Sequence, residues 1–78
     1  MAGTDDDLID AFAKVLRQQR LARGLSQEEL AHRAGVSMRY ISLLDSRQHQ
    51  PSLSTIRGLC LGLGISMTDF VQEIESKV

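Results

Sequence analysis

The chain has 78 residues, which fits one small hydrophobic core, and we predict a single domain over residues 1–78. Hydrophobic residues make up 42% and charged residues 24% of the chain, proportions that exclude an intrinsically disordered protein. The net charge of −1 argues at first against a nucleic-acid partner, but from Lys14 to Arg57 eight basic residues face only three acidic ones.

The first predicted helix covers residues 4–23. Thr4 is its expected N-cap, and Asp7 completes a capping box at its first turn. Its inward face is predicted from residues four apart, which share one side of a helix: Leu8, Phe12 and Leu16. Gly24 is expected to end this helix, because glycine adopts the left-handed conformation without strain.

Two short helices separated by a tight turn are predicted next. Ser26 opens a second capping box and predicts a helix over residues 27–34, which ends at Gly35. Ser37 is the expected N-cap of a helix over residues 38–45. The buried side of this helix is set by two apolar residues three apart, Ile41 and Leu44.

A polar loop and two further helices complete the predicted elements. The loop, residues 46–52, contains the only proline, and a helix over residues 53–63 follows it and ends at Gly64. Ser66 caps a fifth helix over residues 67–77. Its apolar stripe reaches the last residue: Met67, Phe70, Val71, Ile74 and Val78. Because no stretch alternates like a strand, the predicted fold class is all-α.

The spacing within residues 27–46 is typical of a helix-turn-helix. Ala31 is small where a second helix must cross at close range, and Gly35 lets the chain reverse within about three residues. Ile41 and Leu44 hold the second helix against the core. The outer face of that helix is then free to enter a major groove of DNA.

Several separated segments together resemble the phage-repressor and Cro-like (XRE-type) helix-turn-helix family. They are Arg20–Ser37, Tyr40–Ser42, Pro51–Leu53 and Leu63–Ser66, within a match that runs from about Phe12 to Phe70. The resemblance implies a five-helix lambda-repressor-like DNA-binding domain with the helix-turn-helix at helices 2 and 3. The short form, with Arg39–Ser42 in the third helix, is similar to the controller proteins of restriction-modification systems.

The resemblance implies a transcriptional regulator, not an enzyme, that binds double-stranded DNA. We expect a homodimer on a pseudo-palindromic operator, because a domain this small gains stability from a partner subunit. No cofactor is expected, and RNA polymerase is a candidate further partner. The chain lacks a signal-peptide pattern and a membrane-length apolar run, so a cytoplasmic protein without membrane contact is expected. The alternative is an antitoxin or protein-interaction module with secondary DNA binding, which the acidic termini favour.

The residues expected to read bases lie on the outer side of helix 3. Rotation from Ile41 and Leu44 places four residues there: Ser37, Met38, Arg39 and Ser42. Arg39 is the strongest candidate, because its guanidinium can donate two hydrogen bonds to guanine, whereas Met38 suits a thymine methyl.

The phosphate contacts are expected around this helix. The resemblance implies a phosphate-binding Gln27. It gives the same role to the loop after helix 3, for which a flexible surface loop is the alternative: Ser46, Arg47, Gln48 and His49. The hydroxyl of Tyr40 either reaches a phosphate or is only the polar end of its own half-buried ring. The remaining arginines are mostly solvated, with one or two expected at DNA: Arg17, Arg23, Arg33 and Arg57.

The resemblance also implies an ion pair between Arg20 and Asp45. Because the family usually has glutamate at the acidic position, the shorter aspartate predicts a longer or water-bridged pair. At Arg47 the family commonly has glycine. The arginine there either adopts the left-handed conformation at a cost of about 1 to 2 kcal/mol or the loop takes another path.

A dimer interface is predicted from apolar residues beyond the needs of one small core: Leu61, Val71, Ile74 and Val78. Gly58 and Gly62 inside helix 4 are either tolerated weak points or places where a partner backbone approaches closely. Cys60 is expected in the core. With one cysteine and two dispersed histidines, neither a disulfide nor a metal site is predicted.

Overall fold

The computed structural model describes residues 2–78, with side chains from Asp6 onward, and over this range it contains five α-helices and no strand. They are α1 (Ala2–Ala22), α2 (Gln27–Ala34), α3 (Met38–Asp45), α4 (Leu53–Leu63) and α5 (Met67–Ser76). The all-α prediction is confirmed. The three middle helices have the predicted bounds, and the outer two differ by one or two residues at their ends.

Serine caps explain where four of the five helices begin. In each, the serine hydroxyl accepts a hydrogen bond from the backbone N–H three residues later, which satisfies a donor the helix leaves free. The four are Ser26, Ser37, Ser52 and Ser66. At Ser26 the capping box is complete, because the Ser26 N–H also donates to Glu29 Oε1 at 2.8 Å.

The predicted cap of α1 is wrong, because the helix begins at Ala2 and Thr4 lies inside it. The predicted hydrogen bond between the Thr4 side chain and the turn of Asp7 lies outside the described residues. Acidic residues at the start of a helix favour the helical state through its dipole wherever in the first turns they stand, so the helix can extend past a single cap candidate.

Glycine in the left-handed conformation ends α2 and makes the tight turn to α3. Gly35 has φ 74°, and the next residue, Val36, donates its N–H to Ala31 O at 3.0 Å. This hydrogen bond satisfies a carbonyl in the last turn of α2, and the left-handed glycine lets the chain reverse in the few residues between the two helices.

All five helices contribute buried side chains to one core. The Phe12 and Phe70 rings meet edge to face, with centroids 6.1 Å apart. Ile41 and Leu44 of α3 are fully buried in the same core, and so is Cys60. Leu8 differs from its predicted place in the buried stripe, because 42% of it is exposed near the beginning of α1.

Gly58 and Gly62 allow α2 to lie directly on α4. A Cβ at Gly58 would stand 2.9 Å from the Ala34 carbonyl oxygen, and one at Gly62 would stand 3.1 Å from Arg33 Cβ. Both alternatives predicted for these glycines are therefore wrong. They are neither tolerated weak points nor close-approach sites for a partner subunit, because the backbone they admit belongs to α2 of the same chain.

Candidate nucleic-acid interface

The outer face of α3 is exposed and carries the predicted base-reading residues. Ser37, Met38, Arg39 and Ser42 are all exposed, while Ile41 and Leu44 hold the opposite face in the core. Within residues 6–78, no carboxylate forms an ion pair with Arg39. A free guanidinium on the protruding side of a firmly packed helix can donate to an external acceptor without first breaking an internal bond.

The turn after α3 is closed by a non-glycine residue in the left-handed conformation. Arg47 has φ 64°, and Gln48 donates its N–H to Leu43 O at 2.9 Å, as at a glycine-ended helix. Of the two paths expected at Arg47, the structure shows the strained one, which costs about 1 to 2 kcal/mol. The predicted phosphate-binding loop is exposed throughout: Ser46, Arg47, Gln48 and His49.

Asp10 of α1 connects this turn to the first helix. Its carboxylate forms ion pairs with Arg47 and, at 3.3 Å, with Lys14 Nζ. The hydrogen bond from Lys14 lowers the pKa of Asp10, and the charge of Arg47 lowers it further. Spacing along α1 could have indicated the Asp10–Lys14 pair, but no sequence signal indicated the contact with Arg47, 37 positions further along the chain.

Asp45, the last residue of α3, is a buried charge, with a side chain only 3% exposed. Its Oδ2 accepts a hydrogen bond from Gln27 Nε2 at 2.9 Å and lies 3.6 Å from Arg20 Nη2. Arg20 Nη1 donates to Leu25 O at 2.9 Å. The ion pair is long, as the shorter aspartate predicts, and Gln27 supplies the nearer partner. Asp45 Oδ1 and Arg20 Nε have no partner within the described chain.

The bond to Asp45 fixes the side chain of Gln27, the expected phosphate ligand at the beginning of α2. One of the two amide hydrogens of Gln27 is donated to Asp45. The other amide hydrogen is free to donate to a phosphate. No pattern in the sequence indicated this coupling of the first residue of α2 to the last residue of α3.

Tyr40 of α3 lies between the core and the loop that follows α3. The residue is half-buried, packs against the core and has its ring 5.9 Å from the ring of His49. This contact brings the predicted loop residue His49 beside α3.

A polar cleft of about 290 Å³ opens between α1 and the turn after α3. Its walls are Ala13, Lys14, Arg17, Asp45, Ser46 and Arg47. Arg17 was expected to be one of several solvated arginines. Its place in this cleft distinguishes it from the other three, and only the crossing of α1 over the end of α3 brings it there.

The four residues predicted for a dimer interface differ in exposure. Leu61, Val71 and Val78 are 73%, 44% and 62% exposed, but Ile74 is only 5% exposed. Ile74 is therefore mainly part of the subunit's own core, and its use as an interface residue needs correction. It forms the floor of an apolar groove of about 200 Å³, with Leu8 and Val71 on the walls.

Three further properties bear on what the molecule can bind. Among residues 2–78, no helix combines the length and the apolar composition that crossing a membrane requires. The part of the chain that the structure describes holds no cluster of three residues of metal-binding type. Burial raises the pKa of the Cys60 thiol and keeps it in its unreactive neutral form.

Comparison with known proteins finds a family model described as Helix-turn-helix that matches residues 16–70. The chain is 35% identical over 60 residues to the HTH-type transcriptional regulator DdrOP3 of Deinococcus deserti, covering 77% of this chain and 46% of that protein. It is also 35% identical over 60 residues to the uncharacterized HTH-type transcriptional regulator y4dJ of Sinorhizobium fredii, of which it spans 73%.

Similar solved structures include the restriction-modification controller protein C.AhdI from Aeromonas hydrophila, at 36% identity and a TM-score of 0.76 over 82% of this chain and 96% of that one. The clp gene regulator ClgR from Corynebacterium glutamicum is 30% identical, with a TM-score of 0.81 over 88% and 90% of the two chains. The controller protein C.Esp1396I, at 23% identity and a TM-score of 0.84 over 90% and 91%, shares the fold.

Proposed function

The chain belongs to the helix-turn-helix family of DNA-binding transcriptional regulators, and we propose that it binds a pseudo-palindromic operator as a homodimer. The observation that carries this proposal is the exposed face of α3, on which Arg39 has no ion-pair partner within the described side chains. The proposed function requires no cofactor and no catalytic step.

Base reading is assigned to the outer face of α3. Arg39 donates two hydrogen bonds to one guanine, and Met38 contacts a thymine methyl. The hydroxyls of Ser37 and Ser42 add hydrogen bonds to base edges. The Ser37 hydroxyl already accepts the N–H of Tyr40 at 3.0 Å, which leaves its own hydrogen free to donate.

Phosphate binding is assigned to the two ends of the helix-turn-helix. At one end, Gln27 and the first backbone N–H groups of α2 meet a phosphate, favoured by the helix dipole. At the other end, the turn after α3 supplies Ser46, Arg47, Gln48 and His49, with the hydroxyl of Tyr40 beside them. These phosphate contacts fix the position of α3 in the groove, whereas the face of α3 selects the sequence.

A homodimer is proposed through exposed apolar residues of α4 and α5 and through Val78, which follows α5. Val71 lines the apolar groove, and Leu61 and Val78 are both more than half exposed. A two-fold dimer places two copies of α3 one helical turn of DNA apart, which matches a pseudo-palindromic operator.

An autoregulatory controller of a restriction-modification system is the proposed biological role. It is supported by C.AhdI, which this chain matches over 96% of that protein's length. In this role the dimer acts at its own promoter, where a contact with RNA polymerase gives the bound protein its effect on transcription.

The experiment selects duplexes from a random pool with the purified protein and measures their affinity by fluorescence anisotropy over a range of salt. Enrichment of a two-fold symmetric sequence is expected, with an affinity that falls with salt by a logarithmic slope of about 0.9 per phosphate contacted. A scrambled duplex of the same composition is the control. Absence of any enriched sequence, or an affinity that does not change with salt, contradicts the proposal and favours the antitoxin or protein-interaction alternative.

A further inference from the structure

We propose that the polar cleft between α1 and the turn after α3 binds one backbone phosphate of DNA through Arg17 and Arg47, and that Asp10 occupies Arg47 in the unbound protein as an internal substitute for that phosphate. The inference rests on the proposed function and adds to it a phosphate site on α1 and a competitor within the chain.

The cleft has a net positive lining. Lys14, Arg17 and Arg47 form its walls, and its one acidic wall residue, Asp45, is already neutralised by Arg20. Arg17 is exposed and forms no ion pair with any carboxylate of residues 6–78. An anion entering the cleft therefore meets one free guanidinium and the guanidinium of Arg47.

The backbone conformation of Arg47 indicates that its side chain has a role that glycine could not fill. Its backbone holds the left-handed conformation that a glycine would adopt without strain. Strain that a single substitution would remove is typical of residues with a functional role. The side chain remains 54% exposed while it contacts Asp10, so a phosphate can reach it from solvent.

Asp10 resembles a phosphate in the chemistry it offers to these cations. Its two carboxylate oxygens are divided between Arg47 and Lys14. A phosphate diester also offers two charged oxygens, with one full negative charge, to the same donors. Binding of DNA at the cleft then exchanges one anion for another at Arg47, and the exchange opposes binding without regard to base sequence.

The test compares Asp10→Asn with the wild-type protein on a selected duplex and on a scrambled duplex. Loss of the competing carboxylate is expected to raise affinity for both duplexes about fivefold per subunit, because breaking an exposed ion pair of this kind costs a free energy of that size. The salt slope is expected to steepen by about 0.9 per subunit, which is one phosphate contact that Asp10 no longer offsets in each copy of the chain. Arg17→Ala is expected to weaken both duplexes alike and to reduce the slope by about the same amount.

Two controls separate the contact from its net charge. Asp7→Asn makes the same charge change one turn away on α1, where no ion pair forms with any described residue, and it is expected to change affinity much less. In an Arg47→Ala background, Asp10→Asn is expected to lose most of its effect, because the group it releases is gone. Circular dichroism melts confirm that each variant is folded.

A lower affinity of Asp10→Asn would overturn the inference, since Asp10 would then be a residue that positions Arg47 for DNA. An equal gain in Asp7→Asn, or an undiminished gain without Arg47, would overturn it as well. These outcomes leave the proposed function standing. If the wild-type protein binds no duplex, the proposed function fails and this inference fails with it.

Discussion

The helix-turn-helix is attached to the rest of the domain on two sides, and the two attachments differ in kind. On one side α2 lies against α4, where Gly58 and Gly62 let backbone approach backbone. On the other side the end of α3 is joined to α1 by charged groups, with Asp45 near Arg20 and Arg47 on Asp10. The first attachment depends on shape and the second on charge.

Because of this difference, the domain is expected to respond to salt and acid mainly where α3 meets α1. Close packing of apolar and backbone atoms changes little with salt, whereas the exposed ion pair of Arg47 with Asp10 is weakened by salt and is lost at acid pH. The charged attachment is also the one beside the proposed phosphate contacts. We therefore expect DNA at the proposed phosphate contacts to rearrange the end of α3 at α1 while the contact between α2 and α4 remains fixed.

The largest expected effect is at the charged attachment. Asp45→Ala leaves the mostly buried Arg20 without its carboxylate and Gln27 without its acceptor, so we expect a loss of about 3 kcal/mol in the free energy of unfolding. Urea unfolding measures it. Asp45→Asn, which keeps an acceptor for Gln27, is expected to lose less. A loss below about 1 kcal/mol for Asp45→Ala would mean that the pair behaves as a surface pair.

The next effect tests the attachment by shape. Gly58→Ala places a methyl group against the fixed carbonyl of Ala34, and we expect a net loss of about 1 to 2 kcal/mol after the helix-propensity gain of alanine. Gly62→Ala meets a side-chain atom at a longer distance and is the milder matched control. If Gly58→Ala stabilises the subunit in thermal unfolding, the close contact between α2 and α4 is not what this glycine serves.

A smaller effect concerns the strained turn. Arg47→Gly and Arg47→Ala both lose the contact with Asp10, but only glycine relieves the left-handed conformation. We expect Arg47→Gly to be more stable than Arg47→Ala by about 1 kcal/mol in urea unfolding. Equal stability of the two variants would show that the turn after α3 is not strained in solution.

The smallest effect is the response to acid. The pKa of Asp10 is lowered in the folded chain, so its ion pairs contribute stability that is present above the carboxyl's ordinary value of 3.8 and is lost as the pH falls through its lowered value. Thermal melts between pH 6 and pH 2.5 are expected to show a shallower decline for Asp10→Asn than for the wild-type protein. Parallel declines would indicate that Asp10 forms no such pairs in solution.

The ends of the helices could be predicted from the sequence, but the contacts that attach the helix-turn-helix to the domain could not. Ser26, Gly35 and Ser37 are local signals, so the bounds of α2 and α3 followed directly from the sequence. The contact of Gly58 with Ala34 depends on how two helices cross, and a glycine inside a helix carries no local sign of what lies above it.

The candidate site divides in the same way. Arg39 could be placed on the outer face of α3 by rotation alone, because Ile41 and Leu44 define the buried side. Asp10 and Arg17 reach the site only through the crossing of α1 over the end of α3, which no spacing in the sequence indicated. Ile74 was misjudged because a stripe of apolar residues does not show which members the subunit's own core will use.

The most direct test of base reading by α3 measures the affinity of Arg39→Ala for the selected and scrambled duplexes at one salt concentration. We expect a loss of about 1 to 3 kcal/mol per base contact on the selected duplex and nearly unchanged binding to the scrambled one, so the preference ratio falls. Gln27→Ala, at a phosphate contact, is expected to weaken both alike. If Arg39→Ala keeps the wild-type preference ratio, Arg39 does not read the sequence.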